Sequence, residues 1–220
     1  MQITEQLAYP GEHPLSLLGK VGTLEAILTV PELINTPYVA FLGHPHSLQG
    51  GTMNNKVVTT LARTFKDLGI PSLRFNFRGV GGSAGVYDEG VGESEDMLAL
   101  VRAWQQEQPS ALFIFAGFSF GSYVAYRTAA QCVHQLLITI APPVHHYDYN
   151  EFHPAPNPWV IIQGEEDEVV PPALVFDFAR LHNPELQVLR FANTTHFFHG
   201  KLIELKTQLA HYLMSQVKSL

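Results

Sequence analysis

Seven short apolar runs, most of them separated by stretches of helix length, constrain this chain more than any other feature. They lie at residues 25–30 (EAILTV), 38–42 (YVAFL), 72–77 (SLRFNF), 112–116 (LFIFA), 136–141 (LLITIA), 159–163 (WVIIQ) and 187–191 (QVLRF). Several lack the polar/apolar alternation of a half-solvated strand, which suits strands covered on both faces. Between and after them, residues 54–68, 93–106, 122–131, 173–181 and 201–217 have the length and apolar spacing of amphipathic helices. Strand and helix in alternation predict an α/β fold, a doubly wound and mostly parallel sheet with helices on both faces. With 220 residues, 46% of them hydrophobic, the chain can fill one core, and a single domain over residues 1–220 is expected. No repeat or Gly/Ser linker divides it; the Pro- and His-rich segment 141–158 reads as an ordered connection with little helix.

In such sheets ligands bind outside the carboxyl ends of the strands, so chemistry belongs in the loops that follow them. One of these loops is GFSFG, residues 117–121, directly after the run ending at Ala116. A serine hydroxyl is a weak nucleophile until a histidine takes its proton and an acid fixes that histidine's tautomer. Strand-end residues of all three kinds occur in the order Ser119, Asp167, His196. Gly117 and Gly121 fit a tight strand-to-helix turn at which no Cβ has room, and the helix start would aim free N–H groups at a developing oxyanion. The Phe120 amide is one expected donor; the second comes from the loop after residue 42, where Pro45 has no N–H and His46 does.

Two residues compete for these roles. Asp148 could replace Asp167 as the acid, and His199 lies three residues from His196. The segment GVGGSA at residues 79–84 fits a dinucleotide-binding pattern, but that pattern needs a helix to open at once, and the sequence continues as loop. Eleven histidines, among them His44, His46, His145, His146 and His153, follow no metal-binding spacing. They are expected to line the cleft mouth or bond loop backbone, with no catalytic metal and no cofactor. A net charge of −7 and the lack of a basic stripe argue against nucleic acid. No run approaches the ~20 apolar residues of a membrane span, and the first twenty residues, with early acids and prolines, are not expected to act as a signal peptide. The single cysteine, Cys132, fits a cytoplasmic protein.

On the blocks GHPHSLQGGTMNNKVV, LRFNFRGVGGSAG, AGFSFGSYVA, IIQGEEDEVVPP and THFFHGKL, the chain resembles the α/β-hydrolase superfamily. Within it, the chain is similar to small lidless bacterial hydrolases related to dienelactone hydrolase and carboxylesterases. The resemblance spans about Gly43 to Leu202 and implies Ser119 as nucleophile, Asp167 as orienting acid, His196 as base, and the Phe120 and His46 amides as oxyanion hole. Dienelactone hydrolases proper use a cysteine nucleophile, whereas this chain has serine there, which favours a general ester hydrolase. Only about eighteen residues separate the runs ending at 141 and starting at 159, too few for a lid. The expectation is therefore a serine carboxylesterase acting on small-molecule esters, with Phe118, Tyr87 and Phe197 shaping the substrate pocket. The same machinery would serve a peptidase or thioesterase, and the fold could serve a non-catalytic binding protein. Oligomeric state is not readable from the sequence.

Overall fold

The computed structural model describes residues 3–183 and 186–216. A strand β1 (Gly11–Leu18) lies ahead of the seven apolar runs, which form β2 (Thr23–Val30), β3 (Tyr38–Gly43), β4 (Ser72–Phe75), β5 (Leu112–Phe118), β6 (Leu136–Ile140), β7 (Trp159–Gly164) and β8 (Gln187–Phe191). A single-turn α1 (Ile3–Gln6) precedes the five longer helices: α2 (Lys56–Asp67), α3 (Val91–Glu107), α4 (Phe120–Ala129), α5 (Pro172–His182) and α6 (Leu202–Gln216). Val217, at the end of the last expected helix, lies outside the described residues. The strands join in one sheet of order β1-β2-β4-β3-β5-β6-β7-β8. β2 is antiparallel to both its neighbours, and every pairing from β4 across to β8 is parallel.

The side-chain period of two explains why the central runs show no polar alternation. In β5, Phe113 and Phe115 face the layer of α3, α4 and α5, while Ile114, Ala116 and Phe118 face α2 and α6. Both faces are buried, so both parities are apolar. Phe41 on β3 meets Trp104 of α3 edge to face at 5.8 Å between ring centroids. On the opposite layer Leu61 and Phe65 of α2 pack with Leu205 and Leu209 of α6. Each such side chain, fully buried, contributes roughly 1.5–3 kcal/mol. β1 is different because it is an edge of the sheet, as β8 is, and is partly solvated along most of its length. It carries Pro14, which an edge strand tolerates because one side of its backbone needs no ladder bond.

The parallel strands bring the loops after β3, β4, β5, β6, β7 and β8 to one edge of the sheet. The loop after β4 is pinned by buried charge: Arg78 Nε donates to Asp96 Oδ2 at 2.8 Å. Glu93, fully buried near the start of α3, accepts from the Asp88 and Gly90 amides at 2.9 Å each. Tyr87 is held beside these anchors. The GVGGSA segment within this loop opens no helix before Val91, so it lacks the geometry of a dinucleotide fingerprint.

His44, just past β3, is completely buried and ties that loop to the end of β4. Its Nδ1–H donates to the Pro45 carbonyl at 2.7 Å and its Nε2 accepts the Phe77 amide at 2.9 Å, so the ring must be neutral. Burial pushes its pKa down to about 4, against the opposing pull of the Pro45 carbonyl. A depressed histidine contributes stability that is complete above the unfolded value of 6.5 and is lost as pH falls toward the folded one. Urea unfolding should therefore show a loss of about 2.5 kcal/mol from this group between pH 7.5 and 4.5. His44→Gln, which cannot titrate, should have a correspondingly flatter profile; parallel pH profiles for the two proteins would refute this.

Candidate active site

Ser119 sits between β5 and α4 with φ 53° and ψ −124°, a region that residues with a Cβ rarely occupy. The neighbouring structure holds it there. Its N–H donates to the Ile140 carbonyl at 2.8 Å, and its carbonyl accepts from the Ser122 amide at 2.8 Å and the Ser122 hydroxyl at 2.6 Å. The buried Tyr149 hydroxyl lies 2.7 Å from Ser122 Oγ and can donate to it, which ties the loop after β6 to this turn. The helix begins at Phe120, immediately after Ser119 and two residues earlier than the apolar spacing predicts. As the first helical residue, Phe120 has no intrahelical acceptor for its N–H.

Three glycines let the turn pack. A Cβ at Gly117 would overlap the Gly121 carbonyl, and one at Gly121 would overlap the Gly43 and His44 backbone. Gly43 pairs with Gly117 across the β3–β5 ladder, so α4 crosses both strand ends at backbone contact.

The structure brings Ser119, His196 and Asp167 together. His196 Nε2 is 3.2 Å from Ser119 Oγ, and its Nδ1 lies 2.9 Å from Asp167 Oδ2 and 3.1 Å from Oδ1. A carboxylate only accepts, so Nδ1 carries a proton, and in the neutral ring the Nε2 lone pair then faces the serine. Asp167 Oδ1 also accepts the Val169 and Val170 amides at 2.9 and 2.7 Å, and Oδ2 the Gln163 carboxamide at 3.1 Å. Burial works to raise the Asp167 pKa; the bonds from His196 and the two amides outweigh it and leave the carboxyl below its ordinary range. Asp167 and His196 are buried, while Ser119 is half-buried at the cleft floor.

Neither rival joins this line, although Asp148 borders the same cleft. Asp148 is exposed and turns its carboxylate onto the Asn150 amide at 2.8 Å; His199 is exposed beside the Phe197 ring. His46 precedes the short 3-10 turn Ser47–Gln49, and its ring lies 5.1 Å from that of Phe120. Tyr87 borders the cleft, 4.9 Å from the His46 ring, and Phe197 borders a smaller pocket on the His196 side. Phe118 does not reach the cleft: it is fully buried, and its ring packs against His196 at 4.9 Å. Its strand parity with Ile114 and Ala116 explains this, since all three face the α2/α6 layer. Of the remaining histidines, His145 and His146 border the cleft, while His153 lies in a separate depression with Trp159 and His182.

Sequence reasoning missed Gly43, Gln163, Ser122 and Tyr149. A signal existed for Gln163, a polar residue closing an otherwise apolar strand. The others depend on register or tertiary contact. Among the described residues no cluster of His, Cys, Asp and Glu is arranged to hold a metal, and no helix is long and apolar enough to cross a membrane.

No family model matches the chain. An α/β serine hydrolase without a lid from Xanthomonas campestris is 40% identical, with a TM-score of 0.91 over 96% of this chain and 98% of that one. An α/β serine hydrolase homologue from Coxiella burnetii is 41% identical, with a TM-score of 0.89 over 93% and 99%. An uncharacterized protein of Rickettsia prowazekii is 36% identical over 90% of this chain and 87% of its own length. With its eight-stranded sheet, a serine at the β5–α4 turn and no helix between β6 and β7, the chain belongs to the lidless α/β serine hydrolases.

Proposed function

We propose that the chain hydrolyses small carboxylic esters through an acyl-enzyme on Ser119. The observation that carries this reading is the continuous hydrogen-bonded line from Ser119 Oγ through His196 to Asp167. Ser119 Oγ attacks the acyl carbonyl carbon as its proton passes to His196 Nε2. The tetrahedral oxyanion is held by the backbone N–H groups of Phe120 and His46, with the positive end of α4 adding to the first. Collapse breaks the bond to the alcohol oxygen, which takes the proton from Nε2. Water then attacks the acyl carbon as its proton passes to the same nitrogen, and collapse breaks the bond to Ser119 Oγ, which takes that proton back as the carboxylic acid leaves. Asp167 stays ionised throughout and holds the imidazole in one tautomer.

Tyr87 and Phe197 are assigned to the substrate walls on their places in the two pockets beside Ser119. One cysteine in 220 residues supports a cytoplasmic setting. Purified protein should hydrolyse short p-nitrophenyl esters with a burst of the phenol, and a fluorophosphonate should add to Ser119, as located by mass spectrometry. Neither turnover nor adduct would sink the proposal.

A further inference from the structure

Two pockets open from Ser119, and they differ in size and in the groups they reach. The larger, about 680 Å³, follows α4; the smaller, about 130 Å³, lies between the loop after β3 and the loop carrying His196. Ser119, His46, Gln49 and Val169 border both. His196 borders the smaller and not the larger. In acyl transfer the base returns its proton to the departing alcohol, so the alcohol oxygen must come within hydrogen-bond reach of His196 Nε2. That requirement puts the alcohol on the His196 side. The acyl group is left with the large cleft.

The chemistry of the large cleft narrows the acyl group further. Phe120, Tyr123 and Arg127 sit three and four residues apart on one face of α4, a floor about 10 Å long. Tyr87 and Tyr147 stand against it, their rings 5.5 and 5.6 Å from that of Phe120, and Tyr147 stacks on Tyr123 at 4.6 Å. The Tyr87 and Tyr147 hydroxyls approach to 3.4 Å. At the far end Arg127 is paired with Glu151, and its guanidinium lies 5.6 Å from the Tyr123 ring. Phe120 and Tyr123 are buried beneath Tyr87 and Tyr147, so these two half-buried rings present the aromatic surface, and His145, His146, Glu89 and Asp148 also border the cleft. Ring-on-ring contact at these separations is favourable beyond the area it buries.

We infer, resting on the roles given above to Ser119 and His196, that the preferred substrates are esters of aryl-bearing carboxylic acids with short alcohols. The aryl ring lies against the half-buried rings of Tyr87 and Tyr147, above Phe120 and Tyr123 of α4. The alcohol occupies the pocket beside His196 and Phe197.

Methyl hydrocinnamate and phenethyl acetate test this directly, because they are isomers that carry the ring on the acyl and the alcohol side respectively. Wild-type protein should turn over the first with a kcat/KM about tenfold or more above the second. It should also exceed the rate on methyl cyclohexanepropionate, whose ring is not aromatic. Tyr147→Ala should draw the isomer ratio toward one, and Tyr147→Phe should keep it. The ratio is taken within one preparation, so partial misfolding does not move it. Turnover of both isomers at a ratio of one or below would overturn the assignment while leaving the hydrolase reading intact. If no ester is turned over and fluorophosphonate leaves Ser119 unmodified, the hydrolase reading fails and this inference with it.

Discussion

Replacing Ser119 by alanine should lower kcat/KM on a small ester on the order of 10⁵-fold, because removing the nucleophile disables its partners as well. Ser122 Oγ is engaged with the Ser119 carbonyl and with Tyr149. Residual turnover would come from water activated by His196 and from the oxyanion donors. The same position carries a stability consequence of opposite sign. Alanine keeps a Cβ, so Ser119→Ala leaves the strain at φ 53° in place and thermal unfolding should barely move. Glycine removes that strain, and Ser119→Gly should be equally inactive yet more stable by about 1 kcal/mol. Ester kinetics and thermal unfolding on the three proteins check both halves. An active Ser119→Ala protein would mean that hydrolysis arises elsewhere, and a destabilised Ser119→Gly protein would mean that the turn is not strained.

The strained serine also shows what a sequence can and cannot carry. GFSFG, the acid after β7 and the histidine after β8 are local: each is a residue type at a strand end, and the strands declare themselves because burial on both faces leaves them without polar positions. Where solvation changes that rule the reading weakens, as at β1, whose half-exposed residues and Pro14 hide an edge strand. Phe118 shows a different limit. Its neighbourhood in the motif suggests a pocket residue, while the strand period of two places it with Ile114 and Ala116 under the opposite helices. Tyr149 and Ser122 lie 27 residues apart and meet only because the loop after β6 folds back over α4. No local pattern encodes such a contact.

Gly121 joins the fold to the chemistry, and Gly121→Ala should destabilise the protein by at least about 3 kcal/mol, on the order of 10 °C in Tm. The added Cβ would meet the Gly43 and His44 backbone rather than the end of a flexible side chain, so relief requires α4 to move off β3. Such a shift acts on two things at once. It opens the core where Val124 and Ala125 pack beneath the helix, and it carries Ser119 and Phe120 with it. The 3.2 Å separation between Ser119 Oγ and His196 Nε2 leaves little tolerance, since a misplacement of about 1 Å can cost 10²-fold in rate. Activity should therefore fall further than the folded fraction does. Gly82→Ala is the matched control: its Cβ would find its nearest neighbour at 3.6 Å, an ordinary contact, and its Tm should stay within a degree or two of wild type. If Gly121→Ala unfolded no earlier than Gly82→Ala, the close crossing of α4 over β3 and β5 would not be what holds Ser119 in its strained turn.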